Sequence, residues 1–214
     1  MKNIILINGS ARKDGNTAQM LEKVKSGAIS VGAFAEIINL FDLDYKGCCA
    51  CYSCKVNGGK HYGHCPINDD LKPLFHKIEN ADAFVLGSPI YWSNLSGQMR
   101  SFMERLFFQY LVYGEQYSSV APKAFKTALL TTMNINEEMY KSNGLADTLG
   151  NIQMIMTLLF GSCELINLFA TVQFDDYSKY VYSMSDRDEK SNRNPQISDT
   201  DLQNAFELGV RLVN

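Results

Sequence analysis

Two stretches of this 214-residue chain carry residue types whose spacing could do chemistry. The first is Asn8-Gly9-Ser10-Ala11-Arg12-Lys13-Asp14-Gly15-Asn16-Thr17. Ser10, Asn16 and Thr17 offer hydroxyl and amide groups, Arg12 a guanidinium, and Gly9 and Gly15 let the backbone come close to a bound group. If a helix opens at the end of this turn, its free N–H groups and partial positive charge complete a cradle for phosphate. The turn has neither the Gly-x-Gly-x-x-Gly spacing of dinucleotide folds nor the Gly-Lys-Ser/Thr ending of the triphosphate loop, which disfavours an ADP moiety or a triphosphate. The second stretch holds five of the six cysteines: Cys48, Cys49, Cys51, Cys54 and, after ten intervening residues, Cys65. Metal, redox and plain packing roles are all open to such thiols.

A third stretch, Gly87-Ser88-Pro89-Ile90-Tyr91-Trp92-Ser93-Asn94-Leu95-Ser96-Gly97, suits a planar ring. Pro89 stiffens the turn, Ile90 to Trp92 present a flat apolar edge, and the backbone amides can bond ring heteroatoms. Tyr91 and Trp92 could equally plug the rim of a sheet, and Arg12 could be an ordinary surface arginine.

These stretches need a scaffold that brings them together. Five segments have the composition of buried strands: Lys2 to Asn8, Ala35 to Leu40, Ala83 to Ser88, Lys126 to Thr131 and Glu164 to Val172. Helical periodicity lies between and after them, in Thr17, Leu21, Val24, Ala28 and Val31; in Leu71, Leu74, Phe75 and Ile78; and in Leu95, Met99, Phe102 and Leu106. Arg100, Glu104 and Arg105 fall on the polar side of that third helix. Leu145, Leu149, Ile152, Met156 and Leu159 line a further helix, and Leu202, Ala205, Gly209 and Leu212 a last one, opened by the capping pattern Ser198-x-x-Asp201. Repeated β-α alternation predicts a single α/β domain over residues 1–214, in which a doubly wound parallel sheet of five strands is covered on both faces. In the order 2-1-3-4-5 the crevice opens between the first and third strands, where flavodoxin holds its flavin. The phosphate-type turn and the ring-type turn leave the carboxyl ends of those two strands.

Composition narrows the function. A formal net charge of −3, with 20 Lys and Arg scattered among 23 acids, leaves no basic stripe for nucleic acid. The apolar stretch from Ile152 to Val172 is interrupted by Gly161-Ser162-Cys163-Glu164 and reads as helix, turn and strand rather than a membrane span. With no signal-peptide pattern ahead of the first strand, the thiols are expected to be reduced in a cytoplasm. The polar run from Ser183 to Gln196 reads as a solvated excursion, and the aromatic connector from Phe107 to Pro122 as a surface that a second copy covers in a homodimer.

Taken in order, these motifs resemble the flavodoxin-like NAD(P)H-dependent FMN reductases, including the iron–sulfur flavoproteins. The matching pieces are Gly9-Ser10-x-Arg12-x-x-Gly15-Asn16-Thr17, the Cys-x-x-Cys-x-x-Cys run from Cys48 to Cys54, Cys65 followed by Asp69-Asp70, and Gly87 to Trp92 with Gly97-Gln98-Met99-Arg100. The resemblance implies a three-layer α/β/α fold and bound FMN. Ser10, Arg12, Gly15, Asn16 and Thr17 would hold its phosphate, and Pro89, Ile90, Tyr91, Trp92 and Ser93 its ring. Thr131 and Thr132 look like a third flavin-contacting loop. It implies an oxidoreductase taking hydride from NAD(P)H and passing electrons to a quinone, free flavin or other small acceptor, with the flavin carrying the chemistry. The alternative is an iron–sulfur flavoprotein-type electron carrier without direct NAD(P)H activity. A third reading is a flavodoxin-fold binding protein whose loops only close the sheet.

Cys48, Cys51, Cys54 and Cys65-Pro66 resemble the ligand run of bacterial four-iron ferredoxins. A [4Fe–4S] cluster is therefore open, with zinc and free thiols as alternatives. The cluster is not the favoured reading, because Gly58, Gly59, His61, Tyr62 and Gly63 give the gap before Cys65 a flexible, polar character. His61 and His64 read as solvated, and Cys163 as a small buried residue.

Overall fold

The apolar run at Ile4 to Ile7 becomes β1 (Asn3–Asn8), and its alternating side chains feed two separate cores. The structure is a computed structural model that describes residues 1–183 and 197–214; apart from Ser183, the polar run from Ser183 to Gln196 lies outside the described residues. Around β1 the sheet runs β2 (Phe34–Asn39), β1, β3 (Ala83–Tyr91), β7 (Lys126–Thr132) and β8 (Glu164–Leu168), all parallel. This is the flavodoxin-like 2-1-3-4-5 order, and the fold is a three-layer α/β/α sandwich. Two short antiparallel additions accompany it: β4 (Asn94–Leu95), which returns along the end of β3, and the hairpin β5 (Leu111–Tyr113) with β6 (Tyr117–Ser119).

Ile4 and Leu6 point to the face covered by α1 (Asn16–Ser30) and α6 (Asp199–Val213). Ile5 and Ile7 point to the opposite face, covered by α2 (Leu71–Asn80), α3 (Gly97–Tyr110) and α5 (Leu145–Phe160), with α4 (Glu137–Ser142) as a short helix ahead of α5. Leu21, Val24 and Ala28 on α1, and Met99, Phe102 and Leu106 on α3, face the core as expected and are fully buried, whereas Val31, expected on the same stripe, lies past the end of α1 and is exposed. Ser198 caps α6 as its pattern predicts, accepting from Asp201 N at 3.1 Å and donating to its carboxylate at 2.6 Å. The first and last of these helices touch backbone to backbone. A Cβ on Gly209 would stand 2.0 Å from the Val24 carbonyl oxygen, and one on Gly27 would stand 1.9 Å from that of Phe206.

Several boundaries differ from the sequence expectation. The third strand runs past Ser88 to Tyr91, because residues 90–95 close into a hairpin instead of an open turn. The fifth strand stops at Leu168 rather than Val172. There Ala170 takes a left-handed φ of 51°, and Ala170 N and Thr171 N bond to the carbonyls of Ile135 and Met133 in the segment leaving β7. The stretch Ile152 to Val172 is indeed helix, turn and strand, with Gly161 at φ 98° ending α5. Among the described residues no helix is long and apolar enough to cross a membrane. Arg105 is the clearest departure. It is not on a solvated face of α3 but 2% exposed, with a bidentate ion pair to Asp69 that makes burial tolerable.

Candidate functional site

The turn after β1 is rooted to the turn after β3. Gly9 N donates to Gly87 O at 2.8 Å, and Ser96 Oγ donates to Gly9 O at 2.7 Å while accepting from Met99 N as the N-cap of α3. Buried Asn8 shapes the start of the turn, since its Oδ1 accepts from Ser10 N and its Nδ2 donates to Asn39 on β2. Ser10 then accepts from Arg12 N at 3.1 Å. Gly15 is the N-cap of α1 and supplies no side-chain cap, and no acidic residue lies in the first turn. The first N–H groups of α1 are thus left without a side-chain cap and without an acidic residue in the first turn, the arrangement that suits an anion.

Thr17 and Thr132 meet at the base of this turn, their hydroxyls 2.8 Å apart and nearly buried. The structure thus brings Ser10, Gly15, Asn16, Thr17 and Thr132 together around one helix N-terminus. Thr131 is different: its hydroxyl lies within the sheet and donates to Asn167 Oδ1 at 2.6 Å. Arg12 and Asn16 reach the same rim but hold the segment beyond β8, Arg12 Nη1 on Gln173 O at 2.9 Å and Asn16 Nδ2 on Val172 O at 3.1 Å. That segment is stiffened by Phe174, whose ring stacks on Tyr180 at 4.0 Å.

Pro89 and Ile90 continue β3, and Tyr91-Trp92-Ser93-Asn94 makes the hairpin tip. Trp92 and Ser93 both have left-handed backbones, φ 51° and 57°, as the tightest hairpin turns require. The Trp92 side chain is 100% exposed and that of Tyr91 half exposed, so neither plugs the sheet rim. A bulky residue held left-handed with its ring in solvent is strain without packing in return, a combination that points to function. Ser88, buried, steadies the hairpin by accepting from Ser96 N at 3.0 Å. Ser88, Ser96 and Asn8 do not stand out in the sequence, because short polar residues at strand ends are too common there.

Five cysteines line one small cavity: Cys48, Cys49, Cys51, Cys54 and Cys65. The gap between Cys54 and Cys65 is a series of tight turns, not an open loop, and it closes on itself where Gly63 N donates to Cys54 O at 3.1 Å. Burial raises the Cys54 pKa, with the neighbouring Cys65 and Cys51 adding to it, whereas Ser53 lowers that of exposed Cys51 by hydrogen bonding. Arg105 and Gln109 of α3 also line this cavity. Burial works against the Arg105 charge, Asp69 and Cys65 support it, and the balance raises its pKa. His64 turns to Glu79 at 3.3 Å rather than to the cysteines. Among the described residues no group of three or more His, Cys, Asp or Glu is placed to hold a metal ion. The donor set of the cavity, cysteine thiols with the buried N–H groups of Arg105 and Gln109, has the chemistry a four-iron cluster takes.

A cleft of about 690 Å³ lies between the hairpin and the cysteines, bounded by α3 and α5. It is lined by Asn94 and Leu95 of the hairpin, by Cys48 and Tyr52 of the cysteine segment, and by Met103, Phe107 and Ile152 of the two helices. No single window of sequence carries it, since its walls come from elements far apart along the chain.

Against this geometry, a family model described as NADPH-dependent FMN reductase matches residues 2–134, which span the phosphate-type turn, the cysteines, the hairpin and β7. An iron-sulfur flavoprotein of Methanocaldococcus jannaschii is 34% identical over 102 residues, covering 48% of this chain and 50% of that protein. The chain spans about half the length of the curated relatives it matches. Among solved structures, an NAD(P)H:quinone oxidoreductase from Methanothermobacter marburgensis superposes with a TM-score of 0.72 at 18% identity, over 99% of this chain and 98% of that one. An FMN-dependent NADH-azoreductase of Bacillus anthracis does so with a TM-score of 0.66 at 11% identity, over the whole of both chains. At these identities the structural likeness is one of fold.

Proposed function

This chain belongs to the NADPH-dependent FMN reductase family, and on that premise we propose that it is an FMN-dependent oxidoreductase taking hydride from NAD(P)H and passing electrons to a quinone, free flavin or other small acceptor. The observation that supports this reading is the shared root of the two turns, Gly9 on Gly87 and Ser96 on Gly9, which brings the polar turn after β1 and the exposed aromatic hairpin to one crevice. Bound FMN supplies the hydride and electron chemistry. Ser10, Asn16, Thr17 and the first N–H groups of α1 bind the phosphate, and Arg12, exchanging its carbonyl partner for the anion, neutralises it. Pro89 to Ser93 orient the ring, with Tyr91 and Trp92 free to close over it. Thr132 orients the Thr17 hydroxyl. The sequence carries no separate Gly-x-Gly-x-x-Gly dinucleotide fingerprint, so nicotinamide and acceptor take turns at one exposed face, and ping-pong kinetics are expected.

The protein is expected to act in a cytoplasm as a homodimer without nucleic-acid or membrane partners. The apolar cleft and the outward residues Met154, Ile155 and Leu158 of α5 support the dimer. A second reading, an electron carrier with a [4Fe–4S] cluster on Cys48, Cys51, Cys54 and Cys65, is favoured by the convergence of those cysteines on one cavity.

Binding titration tests the first reading. FMN should bind far more tightly than riboflavin, which lacks the phosphate the cradle is built for, and anaerobic NADH or NADPH should bleach the bound flavin. Equal affinities remove the phosphate site, and a flavin that neither nucleotide bleaches removes the reductase.

A further inference from the structure

The cysteine cavity contains two donors whose hydrogen bonds are unmade. Arg105 and Gln109 sit one helical turn apart on the same side of α3, and both are 2% exposed. Their remaining polar atoms are committed. The terminal nitrogens of Arg105 donate to Asp69 and to Lys46 O, and Gln109 Oε1 accepts from Cys65 N at 2.9 Å. These partners fix both side chains and leave Arg105 Nε and Gln109 Nε2 buried with no partner. Buried donors are rarely left unpaired, because the cost of desolvation is then unrepaid. The other walls of the cavity are cysteines and Tyr52, Pro66, Ile67 and Phe108, so sulfur, or a group that sulfur holds, is the acceptor in greatest supply there. A neutral thiol accepts weakly; a thiolate or sulfide of an anionic cluster accepts well.

Resting on the cluster-bearing reading above, we propose that Arg105 and Gln109 donate N–H bonds to the sulfurs of a [4Fe–4S] cluster on Cys48, Cys51, Cys54 and Cys65, holding its reduction potential up and its iron in place. Asp69 acts through Arg105 as a positioning residue, since it fixes the guanidinium that would otherwise turn toward solvent. Hydrogen bonds to sulfur and a nearby positive charge both favour the more negative, reduced state of a cluster, and so raise its potential.

The test uses the full chain with FMN, reconstituted anaerobically with ferrous iron, sulfide and a thiol reductant. Iron and sulfide per chain, the rate of iron loss to a chelator, and the cluster potential in a dye-coupled titration are measured for the wild type, Gln109→Leu and Arg105→Lys. Gln109→Leu removes the Nε2 donor without leaving a charge unpaired. It removes with it the acceptor of Cys65 N, so the potential rather than the rate of iron loss is the reading that tests the donor. The variant should still load iron, but at a more negative potential and with chelator loss about tenfold faster, the usual scale for outer-shell partners. Arg105→Lys keeps the charge and loses the planar fork, and should shift the potential the same way; if it does not fold, Gln109→Leu decides alone. An iron-loaded Gln109→Leu with wild-type potential overturns the role of the donors while leaving the cluster standing. Wild-type protein that takes up no stoichiometric iron and sulfide overturns the cluster reading and this proposal with it, a result visible before any variant is made.

Discussion

Thr17 and Thr132 share a single hydrogen bond between two hydroxyls, so one hydroxyl proton of the pair is left to donate elsewhere. If Thr17 holds the FMN phosphate as proposed, that proton is the one it donates. Thr17→Val keeps the shape and removes the donor, and should weaken FMN binding by about 1.5–3 kcal/mol, the range for hydrogen bonds to charged groups. Thr132→Val should cost less, because it only loosens the aim of Thr17, and the two effects should be non-additive in a double-mutant cycle read by flavin fluorescence. An unchanged dissociation constant for Thr17→Val would move the phosphate elsewhere. At this scale the sequence is legible where chemistry is local. Ser10, Asn16 and Thr17 stand out as a polar turn after an apolar run. It is not legible where partners are distant. Arg105 falls off the stripe of Met99, Phe102 and Leu106 and so reads as solvated, and it is the ion pair with Asp69, 36 positions away, that compensates its burial. The same distance hides Thr131, whose hydroxyl is taken by Asn167 on β8.

The hairpin formed by the end of β3 with β4 combines strain with exposure, and the two can be separated experimentally. Trp92 buries no surface, so Trp92→Gly forfeits no packing and relieves a left-handed backbone that costs a bulky residue about 1–3 kcal/mol. Its thermal midpoint should stay level or rise while FMN affinity falls. Because the chain has one tryptophan, the wild-type emission should also be quenched as FMN binds; full emission in the flavin-loaded protein would place the ring away from the hairpin. The main elements are legible because alternating apolar strands and stripe-bearing helices are written in single windows of sequence. The hairpin is not, since neither Trp92 nor Ser93 is a residue that favours positive φ. The end of β8 escapes for a related reason: Phe169 to Val172 have strand-like composition, but Ala170 turns them toward the β7 exit.

For the molecule as a whole, the apolar cleft bounded by α3 and α5 continues onto the outward face of α5, where Ile155 and Leu158 are 37% and 43% exposed. If a second copy covers that surface, Ile155→Glu with Leu158→Glu should halve the mass seen in sedimentation and leave each chain folded. A wild-type protein that sediments as one chain would exclude the dimer. The glycine crossing of α1 and α6 has a consequence in time rather than in energy alone. Gly27 and Gly209 come from opposite halves of the chain, so their contact closes a long loop and is expected late on the folding route. Gly209→Ala would push a methyl into the Val24 carbonyl and should cost about 3 kcal/mol or more. Nearly all of that loss should appear as faster unfolding, with the refolding arm of the chevron almost unmoved. The crossing would then act as a latch on the lifetime of the native state, closing last in refolding and opening first under denaturant.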